Sequence, residues 1–158
     1  MLHFTTGGPT LPADIKMNEL KPWTSFSTDS ALFNFSGTGV YATTFQMPKV
    51  TSGEYLLKVD KLYESARVIV NGKDAGIIWS LPFNLRIGKF LKPGTNTIAL
   101  EVCNLMANRI RYMDRNKMEW RKYHEINFVN INYKDFNAAN WSVQPSGLDG
   151  TINIVPIK

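Results

Sequence analysis

Apolar and polar positions alternate in short runs along most of the chain. From Val40 to Met47, Tyr41, Phe45 and Met47 fall on one parity, and Thr44 and Gln46 on the other. A period of two marks a half-buried strand. Glu54 to Asp60 repeats it, with Tyr55, Leu57 and Val59 in phase. Thr95 to Asn104 is the clearest case: Ile98, Leu100 and Val102 alternate with Thr97, Ala99, Glu101 and Cys103. Ala66 to Val70 runs into Asn71-Gly72, the strongest short-range hairpin signal because both residues tolerate positive φ. The returning strand is predicted near Ala75 to Trp79. Pro82 to Ile87 (Phe83, Leu85 and Ile87 in phase) and the β-branched run from Thr151 to Ile157 complete the set. Pro48, Ser52-Gly53, Leu91-Lys92-Pro93-Gly94, Ser146-Gly147 and Asp149-Gly150 read as the turns between them.

No long amphipathic helix separates these strands, which favours an antiparallel sandwich over an alternating strand–helix fold. Asn104 to Asn130 is the exception. It mixes charges with aromatics, and Ile110, Met113, Met118 and Trp120 keep no clean helical stripe. It reads as a long excursion between core strands, partly helical, and such excursions are more often functional than silent. Residues 1–22, with Gly7-Gly8-Pro9 and Leu11-Pro12, read as an irregular lead-in or linker, leaving 23–158 as the sandwich domain. No internal repeat stands out.

Composition narrows the class without naming a function. Of 158 residues, 44% are hydrophobic and 20% charged, near globular averages, which excludes a disordered or collagen-like chain. The single cysteine excludes a disulfide scaffold and a multi-cysteine zinc site. No run approaches the ~20 apolar residues of a membrane span, and the N-terminus lacks the basic-then-apolar pattern of a signal peptide. The net charge is +5. From Arg109 to Glu125 there are six basic and three acidic residues, so this one segment carries +3 of it. A basic stretch interleaved with aromatics can hold single-stranded nucleic acid. Here the acids are interspersed and no RNA-binding or helix-turn-helix signature accompanies them, so no nucleic-acid partner is expected. An anionic sugar or an acidic protein surface would use the same charges.

Ordered motifs carry a resemblance. Phe35-Ser36-Gly37-Thr38-Gly39-Val40-Tyr41, the run from Lys61 through Val70-Asn71-Gly72-Lys73 to Gly76, Pro82 to Ile87 and Leu91 to Val102 resemble the sugar-binding domain of family 2 glycoside hydrolases, which include β-galactosidases and β-glucuronidases. Asn104 to Asp114 and Pro145-Ser146-Gly147-Leu148-Asp149-Gly150 resemble the C-terminal jelly-roll domain of bacterial α-L-rhamnosidase-like hydrolases of the family 106 type. The resemblance covers roughly Ser36 to the C-terminus. It implies an all-β, galactose-binding-like jelly-roll β-sandwich: a non-catalytic accessory domain that supports glycan binding beside a catalytic domain of the same parent polypeptide. It further implies a fragment of a longer chain, periplasmic or extracellular in its parent. The catalytic carboxylates of those hydrolases sit in a barrel of some hundreds of residues, which 158 residues cannot supply. No catalytic residue is therefore carried over.

Glycoside hydrolysis needs two carboxyl groups about 5 to 9 Å apart. Asp114, Glu119 and Glu125 are available, but Arg109, Arg111, Arg115 and Arg121 surround them, which suits ion pairs better than a general acid. His3 and His124 are too few for a metal cluster, and His124-Glu125 is open to a ligand edge or a satisfied polar pair. No calcium-type Asp/Asn/Gly loop is present; a calcium held by backbone carbonyls would leave no trace in the sequence. No cofactor is expected. Cys103 reads as a small packing residue. The sequons Asn34-Phe35-Ser36 and Asn140-Trp141-Ser142 read as chance. Sugar binding needs an aromatic platform and a few placed donors and acceptors. Trp79, Tyr112, Trp120, Tyr123 and Trp141 offer faces, with Trp23 and Trp79 expected in the core and Trp120 and Trp141 open to packing or ligand contact. The site expected for glycan or for a neighbouring domain comprises Asn108, Arg109, Arg111, Tyr112, Asp114, Glu119, Trp120, His124 and Trp141. Two alternatives stand beside glycan binding: an interdomain scaffold without glycan affinity, and a fragment contributing residues to a glycosidase active site.

Overall fold

In a computed structural model, residues 1–26, 30–50, 54–122 and 134–157 are described. Their strands are β1 (Leu2–Gly8), β2 (Ser36–Met47), β3 (Glu54–Tyr63), β4 (Ser65–Val70), β5 (Lys73–Ile78), β6 (Asn84–Arg86), β7 (Gly94–Cys103) and β8 (Gly147–Ile157), and their helices α1 (Ser30–Asn34) and α2 (Ala107–Arg115). Five strands form one sheet in the order β1-β2-β7-β4-β5, and three form the other in the order β6-β3-β8. Every pairing is antiparallel. This is the expected all-β sandwich with a partly helical excursion.

The alternating residues meet between the sheets. Tyr55, Leu57, Val59 and Leu62 of β3 pack against Val68 and Val70 of β4 and against Ile98, Leu100 and Val102 of β7, all buried. Each fully buried aliphatic side chain contributes ~1.5–3 kcal/mol. At one end Phe4, Trp23 and Phe35 meet edge to face, with centroids 5.0–6.0 Å apart. The β4–β5 hairpin turns on Asn71 (φ 50°) and Gly72 (φ 75°), as its Asn-Gly predicts. Asn71 does more than turn: its amide donates to the Phe90 carbonyl and to Asn96 Oδ1, both at 2.8 Å.

Several expectations are corrected. The lead-in is not irregular throughout: Leu2–Gly8 is a strand paired with β2, and Leu2 and Phe4 belong to the core. Its Thr- and Gly-rich composition hid a strand with only two inward apolar residues. Gly147 and Gly150 are not turn residues but belong to β8: Gly147 opens the strand opposite Tyr63, and Gly150 lies opposite an irregularity between Val59 and Lys61. Both have positive φ (103° and 84°), and a side chain at Gly147 would collide with the Tyr41 hydroxyl. Trp79 is not in the core: it stands past the end of β5, 72% exposed. Cys103 is exposed as well, beside Thr38 Oγ1 at 3.1 Å, because its parity faces away from the second sheet. Ser52-Gly53 lies outside the described residues.

Candidate functional site

The excursion begins where β7 ends. Asn104 fastens it to the sandwich: its Oδ1 accepts the Gly37 N–H at 2.9 Å, and its Nδ2 donates to the Phe35 carbonyl at 3.0 Å and to Ser146 Oγ at 2.9 Å. The two motifs of the rhamnosidase-like resemblance, 104–114 and 145–150, are thus bonded to each other. Helix α2 follows. Its C-terminus closes with Lys117 in the left-handed region (φ 53°), the Lys117 N–H donating to the Asp114 carbonyl and the Met118 N–H to that of Met113. This pair of bonds is a Schellman closure, normally built on glycine.

Asn108 faces inward from α2 and is 2% exposed. Its Nδ2 donates to the Gln144 carbonyl and its Oδ1 accepts the Gln144 N–H, both at 2.8 Å. One amide therefore satisfies both backbone groups of a returning segment, as burial requires. Arg111 Nε donates to the Trp141 carbonyl at 2.7 Å, and burial, then neighbouring Arg115, lowers its pKa. Asp114 accepts the Trp120 indole N–H on Oδ1 and the Ala138 N–H on Oδ2, each at 2.6 Å. Arg121 donates to the Phe136 carbonyl and lies over the rings of Trp120 and Phe136. Trp120, Phe136 and Trp141 stack edge to face, at 5.9 and 5.4 Å. The aromatic ladder is flanked by basic side chains and held by polar bonds to backbone.

The structure thus gathers Asn108, Arg111, Asp114, Trp120 and Trp141 into one lobe, but their polar groups point into it. Among the described residues Asp114 has no ion pair of the kind its arginine neighbours suggested. Its oxygens accept two N–H donors instead, while Arg111 and Arg121 donate to carbonyls. Arg109 lies against the Gly8 backbone with Nη1 buried and without an acceptor among the described residues. Tyr112 is half-buried, its carbonyl accepting from Asn116 Nδ2 at 2.7 Å. Glu119 is exposed. Trp141 keeps 41% of its surface in solvent. His124, like Tyr123 and Glu125, lies outside the described residues. Sequence reading missed Asn104, Gln144 and Ser146, whose signal was the pairing of the two motifs, and Phe136 and Ala138, for which no pattern pointed the way. Among the described residues no group of three or more His, Cys, Asp or Glu is placed to hold a metal.

A groove of about 650 Å³ opens elsewhere, between β2, β7 and β8. Tyr41, Phe45, Ile98 and Leu100 lie along one side and Ile152 and Ile154 along the other, with Leu20 of the lead-in. No described candidate residue lines it. Burial raises the pKa of the Tyr41 phenol, whose oxygen accepts the Leu148 N–H at 3.2 Å.

Fold and lobe together define a β-sandwich domain of the kind found within glycoside hydrolases. Nearly the whole chain, 97%, superposes on 14% of a rhamnosidase from Novosphingobium sp. PP1Y, with a TM-score of 0.74 and 27% identity. Similarity in fold extends to a β-glucuronidase from Ruminococcus gnavus (60% of this chain, 17% of that one, TM-score 0.53, 24% identity) and one from Bifidobacterium dentium (65% and 19%, TM-score 0.54, 23% identity). In sequence, 99 residues are 33% identical to an inferred β-glucuronidase of Formosa agariphila, over 61% of this chain and 8% of that protein. The chain therefore spans a small part of each relative. No protein-family model matches it. No helix among the described residues is long and apolar enough to cross a membrane.

Proposed function

We propose that this chain is a non-catalytic accessory domain of a bacterial glycoside hydrolase, exported with its parent, that supports glycan binding beside a separate catalytic domain. The observation that carries this reading is the superposition of 97% of the chain on 14% of a rhamnosidase, a fraction too small for the barrel such enzymes use. Asp114 supports it from the other side. Both of its carboxylate oxygens are taken up by N–H groups of the lobe, those of Trp120 and Ala138, so it serves as an anchor there. The exposed edge of Trp141, at the end of its aromatic ladder, is open to a sugar ring or a neighbouring domain.

A second reading, an interdomain scaffold without glycan affinity, is favoured by one fact: the lobe directs its polar groups at its own backbone. Calorimetric titration with rhamnose-, galactose- and glucuronate-containing oligosaccharides separates the two. Binding at millimolar affinity or tighter is expected for the accessory domain. Silence across the panel assigns the scaffold role.

A further inference from the structure

The largest exposed apolar side chains outside the lobe lie together, on and just past the edge strand β5. Ile77 is 60% exposed, Trp79 72% and Leu81 77%. Exposed apolar groups scattered singly need no explanation, but a cluster marks an interaction site. The neighbouring positions show what kind. Ile77 pairs with Arg67 of β4, which pairs with Glu101 of β7, which pairs with Val40 of β2. The next row on the same face is Ser65, Cys103 and Thr38, and Trp79 stands at its level, one residue past the Ile78–Ala66 pair. Extending the register by one residue thus sets Trp79 at a row of side chains no larger than threonine.

At the centre of the adjacent row stand the charged residues Arg67 and Glu101. Arg67 binds Asp74 Oδ2 through Nε at 3.0 Å and Nη2 at 2.9 Å, and lies 3.8 Å from Glu101. Hydrogen bonding to Asp74 raises the pKa of Arg67, and the reciprocal bond lowers that of Asp74. A protein surface covering this face would have to strip water from these charges, which the pairing repays poorly. A sugar ring makes no such demand. Its apolar face stacks on an indole while its hydroxyls replace water on ionic groups that stay hydrated at their rims. With two carboxylates, Asp74 and Glu101, around one guanidinium, the charged cluster disfavours an anionic sugar.

We propose that this outer face of the five-stranded sheet is a glycan platform, with Trp79 stacking on an uncharged pyranose and the Arg67–Asp74 pair bonding its hydroxyls. The platform rests on the glycan-binding reading above, and it places the contact on the sheet rather than on the lobe.

The test is calorimetry on the purified chain and its Trp79→Ala, Trp79→Phe and Trp141→Ala variants. The probes are rhamnose- and galactose-containing oligosaccharides, with a glucuronate-containing one as the charged comparison. Trp79→Ala should weaken binding of the neutral probes about tenfold or more, equivalent to ~1.4 kcal/mol. Trp79→Phe should keep it within about threefold, since a smaller ring still stacks. Trp79 is mostly solvated, so an unchanged melting temperature will show that the variants fold. Loss on Trp141→Ala with none on Trp79→Ala overturns the platform and leaves the glycan-binding reading standing. Tighter binding of the glucuronate probe overturns the assignment to uncharged sugar. Wild-type chain that binds none of the probes overturns the reading and the platform together.

Discussion

The sandwich and its lobe are held by different chemistry. Between the sheets, stability comes from apolar residues that need only the right parity: Leu57, Val68, Leu100 and Leu148 are buried with no polar atom to satisfy. In the lobe the same task falls to Asn108, Arg111, Asp114 and Arg121, each joined to a backbone group or indole of the segment it supports. Apolar packing is non-directional and tolerates small shifts. Polar anchoring fixes one geometry and leaves a costly orphan when a partner is removed. A lobe built this way presents Trp141 in a defined place without a core of its own.

The sharpest way to break the contrast is to damage each region in its own currency. Leu57→Ala should cost ~2–5 kcal/mol through lost burial and a cavity. Urea melts should show it as one cooperative loss in every strand. A cost under ~1 kcal/mol would mean that the core is looser than its buried contacts imply. Asn108→Ala should cost less, ~1–3 kcal/mol, because it strands the N–H and carbonyl of Gln144 rather than opening the core. Its signature is local. Amide exchange should accelerate from 136 to 146 well before it does in β2, β3 and β7. Uniform acceleration would place the lobe inside the sandwich's cooperative unit.

The smallest effect comes from carboxylates of the sandwich itself. Asp60 accepts the Thr151 hydroxyl at 2.7 Å and its N–H at 2.8 Å, and Asp74 is bound by Arg67. Both lie below their ordinary value of 3.8, Asp60 through the Thr151 hydroxyl first and Asp74 through Arg67 first. A depressed carboxyl contributes stability above its unfolded value and loses it as pH falls through the folded one. The contribution should therefore be intact above about pH 5 and fade below 3.8, by little because both groups are exposed. Carboxyl-carbon shifts followed with pH should give midpoints under 3.8 for both. Midpoints at or above that value would deny the bonding.

The same contrast explains what the sequence disclosed. Strands β2, β3 and β7 are legible because one parity must be apolar, and the β4–β5 hairpin because Asn71 and Gly72 must take positive φ. Helix α2 was half legible. Its inward residue is the amide Asn108, so no apolar stripe forms, and its end is closed by Lys117 where glycine would have been a signal. The aromatics and charges of the lobe were found, but their direction was not. A side chain bonding a sugar and one bonding a carbonyl thirty residues away look alike in one dimension. Trp79 failed the other way: the inward parity of β5 belongs to buried Ile78, so the next residue falls on the outer side with Ile77, past the end of the strand.

The central claim is that this domain does not itself perform the chemistry of the hydrolases it resembles. Hydrolysis of nitrophenyl α-L-rhamnoside and β-D-glucuronide by the purified chain measures it directly. The account predicts no release above the protein-free blank at any pH from about 4 to 8, the range over which a glycosidase carboxyl pair works. Turnover that is abolished by Glu119→Gln or Asp114→Asn would contradict it.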